Sequence, residues 1–300
     1  MNYAVIDLGS NTIHLLVYGL EEGKAAKIFS EKETVGLVGY VSDGVMNDDG
    51  IQKACETVNR LKEIALETVE LSNIHLFATA SLREIKNRSE AISVIASKTS
   101  LIPDVLCGEE EAMFGFMGAS GNIDFDNGMM VDIGGASTEL VLFENKTALK
   151  MSSIPVGSLT MYNDHVRGTV PTSEERECIE RAVSERLSAL EWTEGVVCKH
   201  IIGIGGTVRS FLKLLRSVHD LEDKQRNICS SYVEQMLEMM SDHENNDIYE
   251  IIRRTIPERV LTIFPGLVIL QHLIERFGCE TITVSKHGIR DGYMLNRVLK

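Results

Sequence analysis

No run of apolar residues in the 300-residue sequence approaches the length of a membrane span. The longest candidate, residues 260–274, is interrupted by Pro265, Gly266, Gln271 and His272. No basic leader precedes the apolar strand that begins within three residues of the N-terminus, so no signal peptide is expected and the cytoplasm is the expected location. The six cysteines, Cys55, Cys107, Cys178, Cys198, Cys229 and Cys279, contain no C-x-x-C pair. That argues against a zinc site or a redox motif and favours small buried hydrophobes in a reducing compartment. Basic residues are outnumbered, 30 Lys and Arg against 44 Asp and Glu, and the formal charge of −14 lacks the basic footprint that nucleic-acid binding requires. Neither a Walker A sequence nor G-x-G-x-x-G occurs, and no low-complexity linker is found. An acidic chain of this kind must bind phosphate through local devices: backbone N–H groups, a metal ion or a few placed basic side chains.

The apolar fraction, 44%, allows sizeable cores, and the length suits two domains. Residues 3–7 and 13–18 read as strands about a turn at Gly9-Ser10-Asn11, with a third strand at 25–29. An amphipathic helix opens at Asp49, with Ile51, Ala54, Cys55, Val58, Leu61, Ala65 and Val69 on one face. Strand 74–78, helix 90–97, strand 105–107 and helix 109–117 complete an α/β domain. The Gly-, Asn- and Asp-rich stretch 118–127 breaks the pattern. It suggests domains of 1–122 and 123–300, with the last helix, residues 291–300, a candidate to pack back on the first domain. The opening then repeats, with strands 128–132, 138–143 and 148–152. Helix 174–190, strand 200–204, helices 208–215 and 229–241, a polar loop 242–247, helices 248–255 and 266–277, strand 281–285 and helix 291–299 follow.

Two segments carry one device. Asp7-Leu8-Gly9-Ser10-Asn11-Thr12-Ile13-His14 and Asp132-Ile133-Gly134-Gly135-Ala136-Ser137-Thr138-Glu139 align at a constant offset of 125 residues. Each has an acidic residue at a strand end, one apolar residue, a glycine, small polar residues and a second strand. Such a repeat suggests duplication into two similar domains facing one cleft. Glycine lets the backbone approach a ligand and take φ > 0, consecutive N–H groups form an anion-binding concavity, and hydroxyls add donors. The aspartate repels phosphate, so it makes sense only with a cation or an attacking water between them. Turns centred on the small residues would place Asp132 opposite Glu139 and Asp7 opposite His14. The first pair would seat Mg²⁺ and the second would suit a phosphate oxygen; a one-residue slip would spoil both. A single D-x-G is ordinarily just a turn, but two aligned copies favour function. His14 by itself is more in keeping with a partly buried histidine than a catalytic one.

Glu109, Glu110 and Glu111 open the helix after Gly108. Acidic first turns are ordinary, yet this one lies near the expected domain boundary, where a carboxylate could orient and deprotonate water. Crowded carboxylates would also raise one another's pKa. Gly205-Gly206-Thr207 again follows a strand and opens a helix, either to offer donors to phosphate or for close helix–strand packing. Arg253, Arg254, Arg259, Lys286, His287 and Arg290 give the C-terminal quarter a basic surplus, each side chain by itself reading as solvated surface. His219 and Asp220 read as a helix surface pair.

These motifs, Ile6-Asp7-Leu8-Gly9-Ser10-Asn11, 108–112, 132–139, 203–207 and Gly288-Ile289-Arg290-Asp291-Gly292, occur in the order seen in the exopolyphosphatase/guanosine pentaphosphate phosphohydrolase (Ppx/GppA) family. The resemblance covers nearly the whole chain. It implies a duplicated actin-like, ribonuclease H-like α/β fold with two domains around a central cleft, in the short form without added C-terminal helical domains. It implies Glu111 as catalytic base and Asp132 and Glu139 as metal or water-positioning acids. Asp7, Gly9, Ser10, Asn11 and the turn Gly134, Gly135, Ala136 and Ser137 become phosphate-holding elements, joined by Arg83 and by Gly205, Gly206 and Thr207. Ala136 departs from the third glycine usual in the second loop. The expected activity is Mg²⁺-dependent release of the terminal phosphate of polyphosphate, with a monovalent cation such as K⁺ a further candidate cofactor. The rival substrate is the 5′-phosphate of guanosine pentaphosphate. A sugar-kinase-like phosphotransferase and a non-catalytic alarmone or polyphosphate sensor are more distant readings, the latter disfavoured by the intact acid set. No nucleic-acid or membrane partner is expected, and a homodimer is a candidate assembly.

Overall fold

The apolar run at residues 3–6 makes Asn2–Leu8 the first strand, β1, buried from residue 4 onward. It pairs antiparallel with β2 (Thr12–Glu21), which pairs with β3 (Lys24–Thr34). A short ladder of β4 (Val41–Ser42) and β5 (Val45–Met46) follows. Helix α1 (Asp48–Leu66) begins where the Asn47 side chain accepts the Gly50 N–H at 2.9 Å, and Asp48 and Asp49 favour its first turn. Its stripe of Ile51, Ala54, Cys55, Val58, Leu61 and Ala65 is buried. Strands β6 (Ile74–Ala78) and β7 (Asp104–Val105) extend the sheet in parallel, linked through helices α2 (Ala80–Arg83) and α3 (Arg88–Thr99). The sheet order is β3-β2-β1-β6-β7.

Helix α4 (Gly108–Ser120) leads to a second sheet that opens the same way, with β8 (Gly128–Ile133), β9 (Thr138–Glu144) and β10 (Thr147–Ile154). Then come α5 (Ser158–His165), α6 (Ser173–Ser188), β11 (His200–Ile204), α7 (Gly205–His219), β12 (Asn227–Cys229), α8 (Ser231–Ser241), α9 (Asn246–Thr255), α10 (Ile263–Phe277), β13 (Thr281–Val284) and α11 (Ile289–Tyr293). The order β10-β9-β8-β11-β13-β12 repeats that of the first sheet, with two antiparallel partners, then two parallel ones, and adds β12 at the edge. The duplicated actin-like α/β fold is thus present in both halves. This computed structural model describes residues 1–300 except 22, 23, 122, 220, 242–245 and 300; Asp220 and most of the polar loop 242–247 fall outside the described residues.

Two compact units contain these sheets, Met1–Glu111 with Arg290–Lys300, and Ala112–Ile289. The division falls inside α4, not in the glycine-rich stretch at 118–127. The reason is packing. Along β8, Met129, Val131 and Ile133 point into the main core of the second unit, around the nearly all-apolar helix α10. Met130 points to the opposite face, where Ala112, Phe116 and Ala119 of α4 cover it together with Val141, Phe143, Ile202 and Ile204. The later turns of α4 are therefore the second layer of that sheet. Residues 290–300 join the first unit through Tyr293, which donates to Asp104 at 3.1 Å and stacks on Phe77. Among the described residues, no helix is long and apolar enough to cross a membrane.

Several local expectations shift. Residues 158–165 form a helix that the sequence reading left unassigned. Residues 227–229 are an edge strand that ends before α8 begins. Helix α7 begins at Gly205 instead of residue 208, so its glycines are its own first turn.

A matched hydroxyl fastens each hairpin to its parallel neighbour. Ser81 Oγ, after β6, donates to Leu8 O, and Thr207 Oγ1, after β11, donates to Ile133 O at 2.8 Å. Leu8 and Ile133 are equivalent positions of the repeat. Both hydroxyls are buried, so Thr207→Val deletes a donor to a buried carbonyl. It should lower stability by about 1–2 kcal/mol. Urea unfolding checks this; an unchanged midpoint with unchanged slope would show that the tie is not needed.

Candidate functional site

In the first unit the turn between β1 and β2 is closed by Gly9 N–H donating to Thr12 O at 3.2 Å. A Cβ on Gly9 would lie 2.8 Å from that oxygen. Two more of the turn's carbonyls are tied down: Asn11 O accepts from Val35 and Gly36 N–H, both at 2.9 Å, and Ser10 O from Val38 N–H at 3.3 Å. Among the described residues, no acceptor takes the N–H of Ser10 or Asn11. Asp7 lies directly opposite His14, and His14 opposite Lys32, so one rung of the sheet reads Asp7–His14–Lys32. Arg290 Nη1 donates to Asp7 Oδ2 at 2.9 Å. Burial pushes the Asp7 carboxyl above the usual carboxylate range, and the Arg290 guanidinium opposes that shift.

The three glutamates of α4 do not crowd one another as expected. Glu110 turns back to accept the Cys107 N–H at 3.0 Å and lies 3.6 Å from Arg297. Glu111 instead meets Arg83 Nη1 at 2.6 Å, with both side chains mostly shielded from solvent. Arg83 also donates to Glu84 at 2.7 Å.

The second unit repeats the turn. Gly134 N–H donates to Ser137 O at 2.9 Å, and a Cβ on Gly134 would lie 3.1 Å from that oxygen. Gly134 O accepts from Ser158 N–H, and Gly135 O from Leu159 and Thr160 N–H, at 2.9–3.0 Å. Helix α5 thus uses its first N–H groups to hold the turn's carbonyls. Among the described residues, no acceptor takes the N–H of Gly135, Ala136 or Ser137. Neither Gly9, Gly134 nor Gly135 has φ > 0. Close approach of each turn's own carbonyl, not left-handed backbone, is what requires glycine at 9 and 134.

Asp132 lies directly opposite Glu139, which is 1% exposed, and Glu139 lies opposite Ser153. Ser153 Oγ donates to Glu139 Oε1 at 2.7 Å. The corresponding rung is therefore Asp132–Glu139–Ser153. Gly205, at φ +77°, sits against the Asp132 carboxylate, where a side chain would collide with it. Arg259 Nη2 occupies the place a Cβ on Gly206 would take. The Arg259 Nη1 is sealed from solvent and has no hydrogen-bond partner among the described residues. Burial lowers the Arg259 pKa, against the attraction of Glu258 and Asp132.

The register expected for both hairpins is the register observed. Thr207 is a correction, because its hydroxyl is committed to Ile133 O and it is 1% exposed, so it offers no side-chain donor to phosphate. Gly205 and Gly206 leave room for the Asp132 and Arg259 side chains. Three participants escaped the sequence reading: Ser153, Arg259 and the contact of Arg290 with Asp7. Ser153 could have been found by continuing the register into the third strand. No sequence signal separates Arg259 from its neighbouring arginines. The carboxylate pair suits Mg²⁺, which is commonly held by one or two carboxylates together with waters and substrate oxygens. Among the described residues, no group of three His, Cys, Asp or Glu gathers, so the protein supplies no closed cage.

The chain has relatives in sequence and in fold. It is 27% identical over 301 residues to a guanosine-5′-triphosphate,3′-diphosphate pyrophosphatase from Aeromonas hydrophila, covering 97% of this chain and 58% of that one. It is 28% identical over 305 residues to the protein of that name from Vibrio cholerae, covering 99% and 59%. The chain thus spans somewhat under three-fifths of the length of these curated relatives. Its fold matches an exopolyphosphatase from Cytophaga hutchinsonii with a TM-score of 0.86 at 19% identity, covering 99% of this chain and 98% of that one. It matches the Aquifex aeolicus member of the Ppx/GppA family with a TM-score of 0.78 at 21% identity, covering 100% and 98%. The model of that family matches residues 16–300, and the chain belongs to the Ppx/GppA phosphatase family.

Proposed function

We propose that the chain is a Mg²⁺-dependent exopolyphosphatase, releasing orthophosphate from the terminal phosphoanhydride of inorganic polyphosphate. The observation that carries this reading is the pair of turns in which most carbonyls are tied back while successive N–H groups remain to be satisfied. A row of such donors suits phosphate oxygens whatever the net charge of the protein. Arg259, buried beside Asp132 with an unmet Nη1, adds a charged donor in the second unit. Glu111, held by Arg83, would orient the attacking water. Phosphoryl transfer is largely dissociative, so positioning the nucleophile matters more than strong basicity. Asp132 and Glu139 would hold Mg²⁺, and Ser153 fixes the Glu139 carboxylate for that task. Bound there, the ion would neutralise charge on phosphate oxygens.

The same chemistry serves the 5′-phosphate of guanosine pentaphosphate, and the names of the curated relatives favour that second reading. Phosphate release with Mg²⁺ from long polyphosphate, short polyphosphate, guanosine pentaphosphate and ATP separates the two. The first reading expects the polyphosphates to be preferred, and a clear preference for the guanosine nucleotide would establish the second. Transfer only to an added acceptor would make the chain a phosphotransferase.

Glu111→Gln should slow release by about 10²–10⁴-fold while the protein stays folded. Glu110→Gln, which touches a helix-capping residue, should change the rate far less. Near wild-type turnover in the Glu111 variant would remove it from the reaction.

Asp132→Asn and Glu139→Gln should each raise the Mg²⁺ concentration needed for half-maximal rate, and Ser153→Ala should do so more weakly. Superimposable Mg²⁺ titrations would assign these acids another task.

Charge at Asp7 gives a pH test. Burial raises its pKa and Arg290 lowers it, so Arg290→Met leaves the rise unopposed. Asp7 then protonates at higher pH, and the acid limb of the rate profile should move toward neutrality. Arg290→Lys should largely restore the limb. Coincident profiles for wild type and the Met variant would show that Arg290 does not govern this charge.

A further inference from the structure

Strands β11 and β13 run parallel with His200 opposite Thr281. The side-by-side relation continues beyond their N-terminal ends. His200 Nδ1 lies 2.7 Å from Thr281 Oγ1, and Lys199 Nζ lies 2.9 Å from Glu280 Oε1. A Cβ on Gly278 would sit 3.7 Å from Val197. Backbone bonds hold the same stretch, with Cys198 N–H donating to Phe277 O at 2.7 Å and Glu280 N–H to Lys199 O at 2.9 Å. Cys198 and Cys279 are the one pair of this series left between those neighbours. Continuing the register sets them side by side, and adjacent strands stand about 4.8 Å apart. A disulfide requires Cα atoms roughly 4.4–6.8 Å apart.

Their surroundings set them apart from the other thiols. Both lie in the main core cluster of the second unit, each 5% exposed. Cys198 also lines a pocket of about 360 Å³ with Leu142, Phe143, Leu149, Val197 and His200. A small oxidant has room there, whereas a folded reductase does not. Contact with Cys279 lowers the Cys198 pKa, while the same contact and burial push that of Cys279 up; the Cys198 thiol itself donates to His200 O at 3.1 Å. Cys198 is therefore the better nucleophile of the two. The two residues are 81 apart in sequence, which is why a search for C-x-x-C passes over them.

We infer that Cys198 and Cys279 are a reversible dithiol–disulfide pair, oxidised by a small hydroperoxide that enters through this pocket. The Cys198 thiolate attacks the terminal peroxide oxygen. The O–O bond breaks, an alcohol leaves carrying the proton, and Cys198 becomes a sulfenic acid. The Cys279 sulfur then attacks the Cys198 sulfur, the S–O bond breaks and water leaves with the Cys279 proton. Two thiols and one hydroperoxide give one disulfide, one alcohol and one water, the sulfurs losing two electrons to the peroxide bond. The cross-link would fasten the N-terminal ends of two central parallel strands and close a long loop. None of this depends on the hydrolytic reading.

The test is treatment of the whole protein with tert-butyl hydroperoxide, alkylation after unfolding, and mass mapping. The expected result is a loss of two hydrogens, a cross-linked peptide pair containing Cys198 and Cys279, and full reversal by dithiothreitol. Closure of so long a loop should also raise Tm by roughly 5–10 °C. In Cys279→Ser, Cys198 should stop at the sulfenic acid, trapped by dimedone, and the rise in Tm should vanish. The mapping of the unmutated protein stands even if that variant folds poorly. Cys198 and Cys279 both recovered as alkylated thiols after peroxide treatment would overturn the inference. So would a cross-link that maps to the exposed Cys107 or Cys229 instead.

Discussion

A carbonyl oxygen facing a phosphate would repel it, so everything proposed for the two hairpins depends on where their carbonyls go. In the first unit those of Ser10 and Asn11 are taken by the N–H groups of Val35, Gly36 and Val38, and in the second those of Gly134 and Gly135 by Ser158, Leu159 and Thr160. In both, the satisfying donors come from the segment that follows the third strand. The strand returns the chain to the turn it must fasten, which explains why a long third strand belongs to the device. It also explains why α5 is not itself an anion site: its first donors are engaged by Gly134 and Gly135.

The second condition is that the two faces of each hairpin stay in register with the parallel strand beside it. The Ser81 and Thr207 hydroxyls act there, each reaching a carbonyl one residue past the hairpin aspartate. A slip of one residue would carry Asp132 and Glu139 to the opposite face together and bury both carboxylates in apolar packing. The tie and the turn hydrogen bond act on the same short stretch. Stability and charge placement are therefore coupled at Leu8 and Ile133, although neither residue bears a functional group.

Much of this was legible because it rests on local rules. Period-two patterning and glycine turns locate the hairpins, the constant offset between Asp7 and Asp132 reveals the duplication, and centring the turns on their small residues predicts both cross-strand pairs. What was not legible depends on partners distant in sequence. The glycine-rich stretch at 118–127 looks like a boundary, yet Phe116 and Ala119 just before it cover the second sheet, a fact no local composition encodes. Glu109–Glu111 looks like a repelling cluster until Arg83 and Arg297 are brought beside it. Arg259 reads as one more surface cation because only the folded chain places it against Gly206. Helix α5 escaped because its short, polar, weakly amphipathic sequence has little intrinsic helical signal, and Gly157 at its start reads as a turn.

Duplication supplied two copies of one scaffold, and the side chains along one rung show how they diverged. In the first unit the rung is Asp7, His14 and Lys32, with Arg290 on the aspartate. This rung carries one carboxylate, already engaged by a guanidinium. In the second the rung is Asp132, Glu139 and Ser153, with Arg259 as the nearby cation. Two carboxylates facing each other across a hairpin offer the oxygen ligands that a divalent cation takes. The Mg²⁺ site proposed in the second unit rests on that pair. It asks of Ser153 only that it keep one Glu139 oxygen engaged, so that the carboxylate keeps a fixed direction whether or not the ion is bound. The two rungs part at the positions of His14 and Glu139, which face equivalent aspartates of the repeat, so one hairpin pairs its aspartate with an imidazole and the other with a second carboxylate.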